Sequence, residues 1–263
     1  FGKTLNFNML KCFFEIPECR QYDNEDKSYK YLFEGLKILN ENKIVSNHFG
    51  KYPIINFSFK KVKANKWKDA EYSFKEEIAC EYMRHSYLLD KDFMMDFEKK
   101  KYNDIMSQEA DVFVYTSEIK NLSKYLKKYY DKKVIVLIDE YDTPLHYAKL
   151  NGYYDEMLNV IRALMVDGMK GNDNMEKAIV TGIMKISQES IFSAFNNPEI
   201  ATLTVGYCAD MFGFTEQEVW DMLDYFDMEE LRETVQKWYN GYLFGGDTVI
   251  YNPWSIINFI KSE

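Results

Sequence analysis

Two adjacent carboxylates, Asp139 and Glu140, close the apolar run Val134 to Ile138 in the segment VIVLIDE. Five apolar residues dominated by β-branching have the pattern of a strand buried on both faces, as in a parallel sheet. Acids at the carboxyl end of such a strand stand where open α/β sheets bind ligands. This is the form of a Walker B segment, in which the first acid, Asp139, holds the hydration shell of Mg²⁺ and the second, Glu140, orients or deprotonates the attacking water. Gly2, Lys3 and Thr4 offer the complementary chemistry: glycine for backbone N-H groups aimed at phosphate, lysine for the β/γ-phosphates and a hydroxyl for Mg²⁺. A GK[ST] tripeptide alone occurs by chance, and a lysine in the first turn of an ordinary helix explains it too. Strand-end acids likewise occur in plain α/β proteins. The two elements together are better explained as a pair, a nucleotide site, than separately. Thr181, at the end of AIVTG (Ala178 to Gly182), is a candidate sensor of the γ-phosphate, with Lys185 three residues beyond Gly182. A simple strand-to-turn transition explains Thr181 almost as well.

Competing chemistries fare worse. Asp139, Glu140 and Asp142 could be read as a nuclease metal cluster, but consecutive strand residues point to opposite faces, and no lysine sits in the nearby position such nucleases use. His48, His85 and His146 lack metal spacing, and no serine lies in a GxSxG elbow. Cys12, Cys19, Cys80 and Cys208 form no CxxC pair, which argues against a zinc or redox site. Reduced thiols in a cytoplasmic protein are the expectation. The 21 tyrosines and 19 phenylalanines invite base stacking, yet without a basic surface they read as core and interface.

These groups need a scaffold, and the composition supplies one. At 263 residues and 46% hydrophobic, the chain can bury a substantial core. A net charge of -9 gives no global attraction to nucleic acid or an anionic membrane. The local cluster Lys60 to Lys68 reads as a solvated helix or loop. No apolar run reaches the length of a membrane span, and no signal peptide is visible.

Helical spacing of Leu5, Met9 and Phe13 predicts a helix starting just after Gly2, with GKT at its N-terminus. Tyr22 to Tyr31 reads as a loop, and Tyr52 to Phe59 as a strand. Helices are predicted over Trp67 to about Asp90, Ser117 to Tyr130 and Tyr154 to Lys170, the last ending at Gly171. After the central strand, Thr143 is the expected cap of a helix whose first position is Pro144. A second buried strand is predicted at Ala178 to Thr181. The whole is an α/β pattern, a P-loop NTPase-like parallel sheet flanked by helices. Thr215 and Glu218 form a capping box, with a staple from Phe214 to Val219. A helix at Glu229 to Tyr239, a hairpin turning at Gly245-Gly246-Asp247 and a final helix capped by Asn252-Pro253 complete a small, mostly helical domain with a winged-helix-like order. The expected division is a core over 1–205 and this accessory domain over 206–263.

The segments FGKTLNFNMLKCFFE, VIVLIDEYDTPL, NGYYDEMLNVIRALM, KAIVTGIMKIS, FGFTEQEV and WYNGYLFGG…YNPWSIINFI together resemble the AAA-ATPase-like domain proteins of bacteria and anaerobic eukaryotes. The resemblance runs through essentially the whole chain, and IDEYDTPL and WYNGY…YNPWS are its most specific parts. It implies an ATPase using ATP and Mg²⁺, with Gly2, Lys3 and Thr4 in the phosphate and metal roles and Asp139 and Glu140 in the Walker B roles. The family's loop typically reads RPRRFGKT, so the rest of the loop and its strand are expected upstream of Phe1. Where the family commonly has arginine in TGILRIS, this chain has Lys185, which keeps the charge and loses the guanidinium fork. Many family members continue into a PD-(D/E)XK nuclease-like domain, so the resemblance implies a switch controlling a nuclease-like partner that would begin beyond Glu263. Ring oligomers and monomeric switches both stay open, as does a degenerate P-loop scaffold without ATPase activity.

Overall fold

The computed structural model describes residues 2–17, 29–183, 198–202, 204–239 and 241–262. The chain divides into two compact units, one of Phe7–Asn196 and one of Phe1–Asn6 with Asn197–Glu263.

Gly2, with φ of +70°, leads into helix α1 (Lys3–Phe14), as the apolar spacing predicts. Tyr29–Phe33 is a 3-10 helix where a loop was expected; the earlier part of that stretch, Tyr22 onward, lies outside the described residues. Then follow α2 (Asn42–His48), β1 (Ile54–Ser58), α3 (Trp67–Arg84), α4 (Asp96–Met106), α5 (Val112–Tyr115), α6 (Glu118–Tyr130), β2 (Val134–Asp139), α7 (Thr143–Asn151), α8 (Tyr154–Met169) and β3 (Met175–Val180). The three strands form a parallel sheet in the order β1-β2-β3. Every residue of β2 is buried, as its uninterrupted apolar run requires. Period-2 alternation divides its side chains: Ile135 and Leu137 pack with Ile54 and with Phe7 of α1. Val134, Val136 and Ile138 turn the other way, into the main core with Phe74 and Ile78 of α3 and Ile161 and Leu164 of α8.

The outer edge of β1 is closed by side chains. Glu81 accepts from the Asn56 N-H at 2.8 Å and Glu77 from the Ser58 N-H at 2.7 Å. The Ile54 carbonyl accepts from Arg84 Nη2 at 2.7 Å and contacts His85 Nε2 at 3.1 Å. Arg84 also donates to Glu15 and Glu81. These bonds explain why α3 stops at Arg84 instead of reaching Asp90: His85 is fully buried, held by Ile54 and by the Tyr87 hydroxyl, and Ser86–Asp90 is a separate 3-10 turn.

Two further expectations are corrected. β3 starts earlier than Ala178 and is half-exposed, not buried, because among the described residues it pairs on one side only. Asp142, not Thr143, occupies the N-cap of α7. Thr143 is already turned in, its N-H donating to the Glu140 carbonyl and its hydroxyl to the Glu140 carboxylate.

In the second unit β4 (Phe214–Thr215), β5 (Tyr242–Phe244) and β6 (Thr248–Tyr251) make an antiparallel sheet in the order β4-β6-β5. Helices α9 (Glu216–Tyr225), α10 (Arg232–Tyr239) and α11 (Pro253–Ser262) accompany it. Thr215 Oγ1 accepts from the Glu218 N-H at 3.3 Å and Glu218 accepts from the Thr215 N-H at 2.8 Å, the reciprocal capping box read from the sequence. Val219, Leu223, Val235, Ile256 and Phe259 form the core, with Phe214 packed against it. The expected helix from Glu229 begins as a 3-10 turn and becomes α-helical at Arg232.

Candidate functional site at the strand ends

Asp139 ends the central strand opposite Ser58 of β1 in register, and it is 3% exposed. A buried carboxylate needs donors, and Thr181 supplies one, its Oγ1 donating to Asp139 Oδ1 at 2.6 Å. The backbone sets this pair: the Thr181 N-H donates to the Ile138 carbonyl at 2.8 Å, and the Tyr141 N-H returns to the Thr181 carbonyl at 3.1 Å. The β2-β3 ladder thus runs past the formal strand ends and delivers both side chains to one place.

Beyond Asp139 the chain turns sharply. Glu140 has φ of +52°, a left-handed conformation uncommon for a residue other than glycine and costing of order 1–3 kcal/mol. Strand geometry therefore ends at Asp139, and the opposite-face argument for adjacent acids no longer applies to this pair. The Glu140 carboxylate accepts from Thr143 Oγ1 at 2.9 Å.

Asp142 completes the turn. Its Oδ2 accepts from the Ile183 N-H at 2.8 Å, tying the loop after β2 to the segment after β3. Gly182 makes the approach feasible, since a Cβ there would stand 2.7 Å from Asp142 Oδ1 and from the Tyr141 ring. Neither residue stood out as a positioning group in the sequence. The readable signal was the glycine directly after Thr181, at the end of a strand.

Gly2, Lys3 and Thr4 lie at the start of α1, whose first turn contains no acidic side chain, so nothing of its own offsets the positive end of the helix dipole. The Gly2 carbonyl accepts from the Asn6 N-H at 3.0 Å. Lys185 lies outside the described residues. Among the described residues no group of three or more His, Cys, Asp or Glu side chains is placed to hold a metal. Asp139 brings a hard carboxylate oxygen, the donor type suited to Mg²⁺, which uses one or two carboxylates and leaves its other positions to water and phosphate. An open cleft of about 360 Å³ is lined by Lys68, Glu71, Tyr72, Lys75, Ser107 and Gln108, none of them at the strand ends.

Comparison with known proteins identifies the family. The AAA-ATPase_like family, described as predicted AAA-ATPase, matches residues 1–192. The chain belongs to that family, whose description points to nucleotide binding. It is also 31% identical over 128 residues to an uncharacterized protein in the vnfD 5′ region of Azotobacter chroococcum mcd 1. That match covers 48% of this chain and 24% of that protein, so the chain spans about a quarter of the curated relative. No solved structure matches significantly. Among the described residues no helix is long and apolar enough to cross a membrane.

Proposed function

We propose that this chain binds ATP with Mg²⁺ and hydrolyses it, acting as a switch. The observation that carries the reading is the bond from Thr181 Oγ1 to Asp139 Oδ1. It fixes a strand-end carboxylate and a hydroxyl from the neighbouring parallel strand at one point, where sheets of this kind bind ligands. By residue type, Lys3 would serve the β/γ-phosphates and Thr4 would supply a hydroxyl to the metal at the start of α1, where backbone N-H groups from Gly2 onward are presented; the Walker B metal role falls to Asp139. Mg²⁺ supplies neutralisation of charge on the phosphate oxygens. Glu140 positions the attacking water and receives its proton. Thr181 and Lys185 report the state of the γ-phosphate. Residues 1–205 form the nucleotide-binding core, and 206–263 form an accessory domain of winged-helix type. The switch controls an attached nuclease-like domain in the cytoplasm.

A second reading has its own observation. The Glu140 carboxylate is engaged by Thr143, which suits a turn-stabilising acid in a catalytically degenerate scaffold. Glu140→Gln separates the two. The ATPase reading expects Mg·ATP binding to persist while turnover falls by orders of magnitude, about 10³ or more. Turnover unchanged in the variant would sink the assignment of Glu140, and wild-type protein that binds no Mg·ATP would favour the scaffold.

A further inference from the structure

Of the 42 acidic and 33 basic residues of the chain, the segment Asn197–Glu263 holds 12 acidic and 3 basic. The remaining 30 acidic and 30 basic residues cancel, so the entire net charge of -9 belongs to these last 67 positions. One of the three cations there, Arg232, is engaged by Asp224 and lies 5.8 Å from the centre of the Trp220 ring. The acids crowd α9 and the turn before α10, at Glu216, Glu218, Asp221, Asp227, Glu229 and Glu230.

Large apolar side chains stand exposed in the same unit. Trp238 on α10 is 74% exposed, Leu243 on β5 is 65% exposed and Trp254 on α11 is 76% exposed. Ile257 is also exposed, one helical turn from Trp254. α10 and α11 are packed together through Tyr239 and Phe259, with ring centres 5.6 Å apart. Two tryptophans, a leucine and an isoleucine thus stand outside the core of one small unit, and exposed tryptophan is the residue type most enriched where binding energy concentrates.

α9 and α10 follow one another between β4 and β5, an element order that invites comparison with a helix-turn-helix module, whose second helix reads DNA. Here that helix, α10, carries Arg232 and Lys237 against Glu233 and follows Glu229 and Glu230. Phosphate binding needs lysine and arginine in excess, and an anionic lipid surface needs the same. The charge excludes both.

We propose that the α10, β5 and α11 surface docks a basic protein segment, its apolar side chains seated on Trp238, Leu243 and Trp254 and its lysines or arginines facing the acids before α10. Charge complementarity selects this occupant, and it also sets the on-rate and salt dependence of the encounter.

The test uses the full 263-residue chain and a synthetic amphipathic peptide of leucine and lysine, followed by tryptophan fluorescence and calorimetry. The expected result is binding that weakens as salt rises. Affinity should fall about tenfold in Leu243→Ser and in Trp238→Ala, which alter exposed side chains. A comparable fall is expected in the charge reversal Glu229→Lys with Glu230→Lys. A leucine and glutamate peptide and double-stranded DNA should not bind. The proposal is overturned by absence of peptide binding, by equal binding in all the variants, or by DNA binding. Self-association abolished by Trp238→Ala would overturn it as well, giving the surface to a second copy of the chain.

Discussion

Thr181 Oγ1 and Asp139 Oδ1 lie 2.6 Å apart, and this bond joins the carboxyl ends of β2 and β3 through side chains where the backbone ladder is running out. Thr181→Val keeps the shape and deletes the donor. The loss expected is about 1–3 kcal/mol, because a buried carboxylate is deprived of one hydrogen bond. It should show as a lower urea midpoint with an unchanged slope, while Thr181→Ser retains most of the stability. A midpoint equal to wild type in Thr181→Val would mean that the bond holds nothing in place.

Gly182 is expected to reject any side chain. In Gly182→Ala the new methyl would meet Asp142 Oδ1 and the Tyr141 ring at 2.7 Å, so either the loop after β2 or the segment after β3 must move. Overpacking of this kind costs about 1–3 kcal/mol. Asp142→Ala removes the acceptor for the Ile183 N-H and opens room for that methyl. The double variant should therefore lose less than the sum of the single losses, a coupling that a double-mutant cycle in urea reads directly. Strict additivity would show that the two residues act apart.

Protonation of His85 should set an acid limit on stability. Burial holds its imidazole below the ordinary histidine value, and the charge of Arg84 adds to this, against the opposing pull of Glu81 and Glu15. Its Nε2 faces the Ile54 carbonyl and its Nδ1 the Tyr87 hydroxyl, an arrangement that a neutral ring satisfies with one proton. The unfolded chain takes up the second proton first, so stability is full above about pH 6.5 and declines as pH falls below it. Glu81 has the same sign at lower pH: burial raises it, but Arg84 and the bonds from His85 and Arg84 outweigh that and leave the carboxyl below its usual range. Its share is full above about pH 4.3, begins to be lost below that and goes on falling until the pH reaches the depressed folded value. Chemical denaturation across this range should show the decline, and His85→Gln should flatten the part just below pH 6.5.

The Thr215 hydroxyl is a separate, local stake. Removing it in Thr215→Ala breaks the capping box with Glu218 and should cost about 1 kcal/mol. The near-ultraviolet signal of the tryptophans in the second unit would report that loss as a lower melting temperature.

The central strand and its two terminal acids were legible because a five-residue apolar run has few alternatives. The capping box was legible because its partners are three residues apart. What the sequence hid is long-range. Glu77 and Glu81 lie four apart on α3, a spacing that carries no record of a distant strand, yet they accept from Ser58 and Asn56 along the edge of a sheet. The half-exposure of β3 follows from which neighbours pair with it, which its own residues do not record. Thr143 looked like a cap, and only the reversed turn at Glu140 explains why its hydroxyl is spent elsewhere.

The carboxylates along β1 have a consequence for growth of the sheet. With Ile54, Asn56 and Ser58 all bonded to side chains on that flank, β1 offers no row of vacant amides to recruit another polypeptide, which is the hazard of an ordinary edge. Among the described residues the sheet is thus a one-way template: an incoming strand would join alongside β3, next to Thr181 and the strand-end carboxylate it holds.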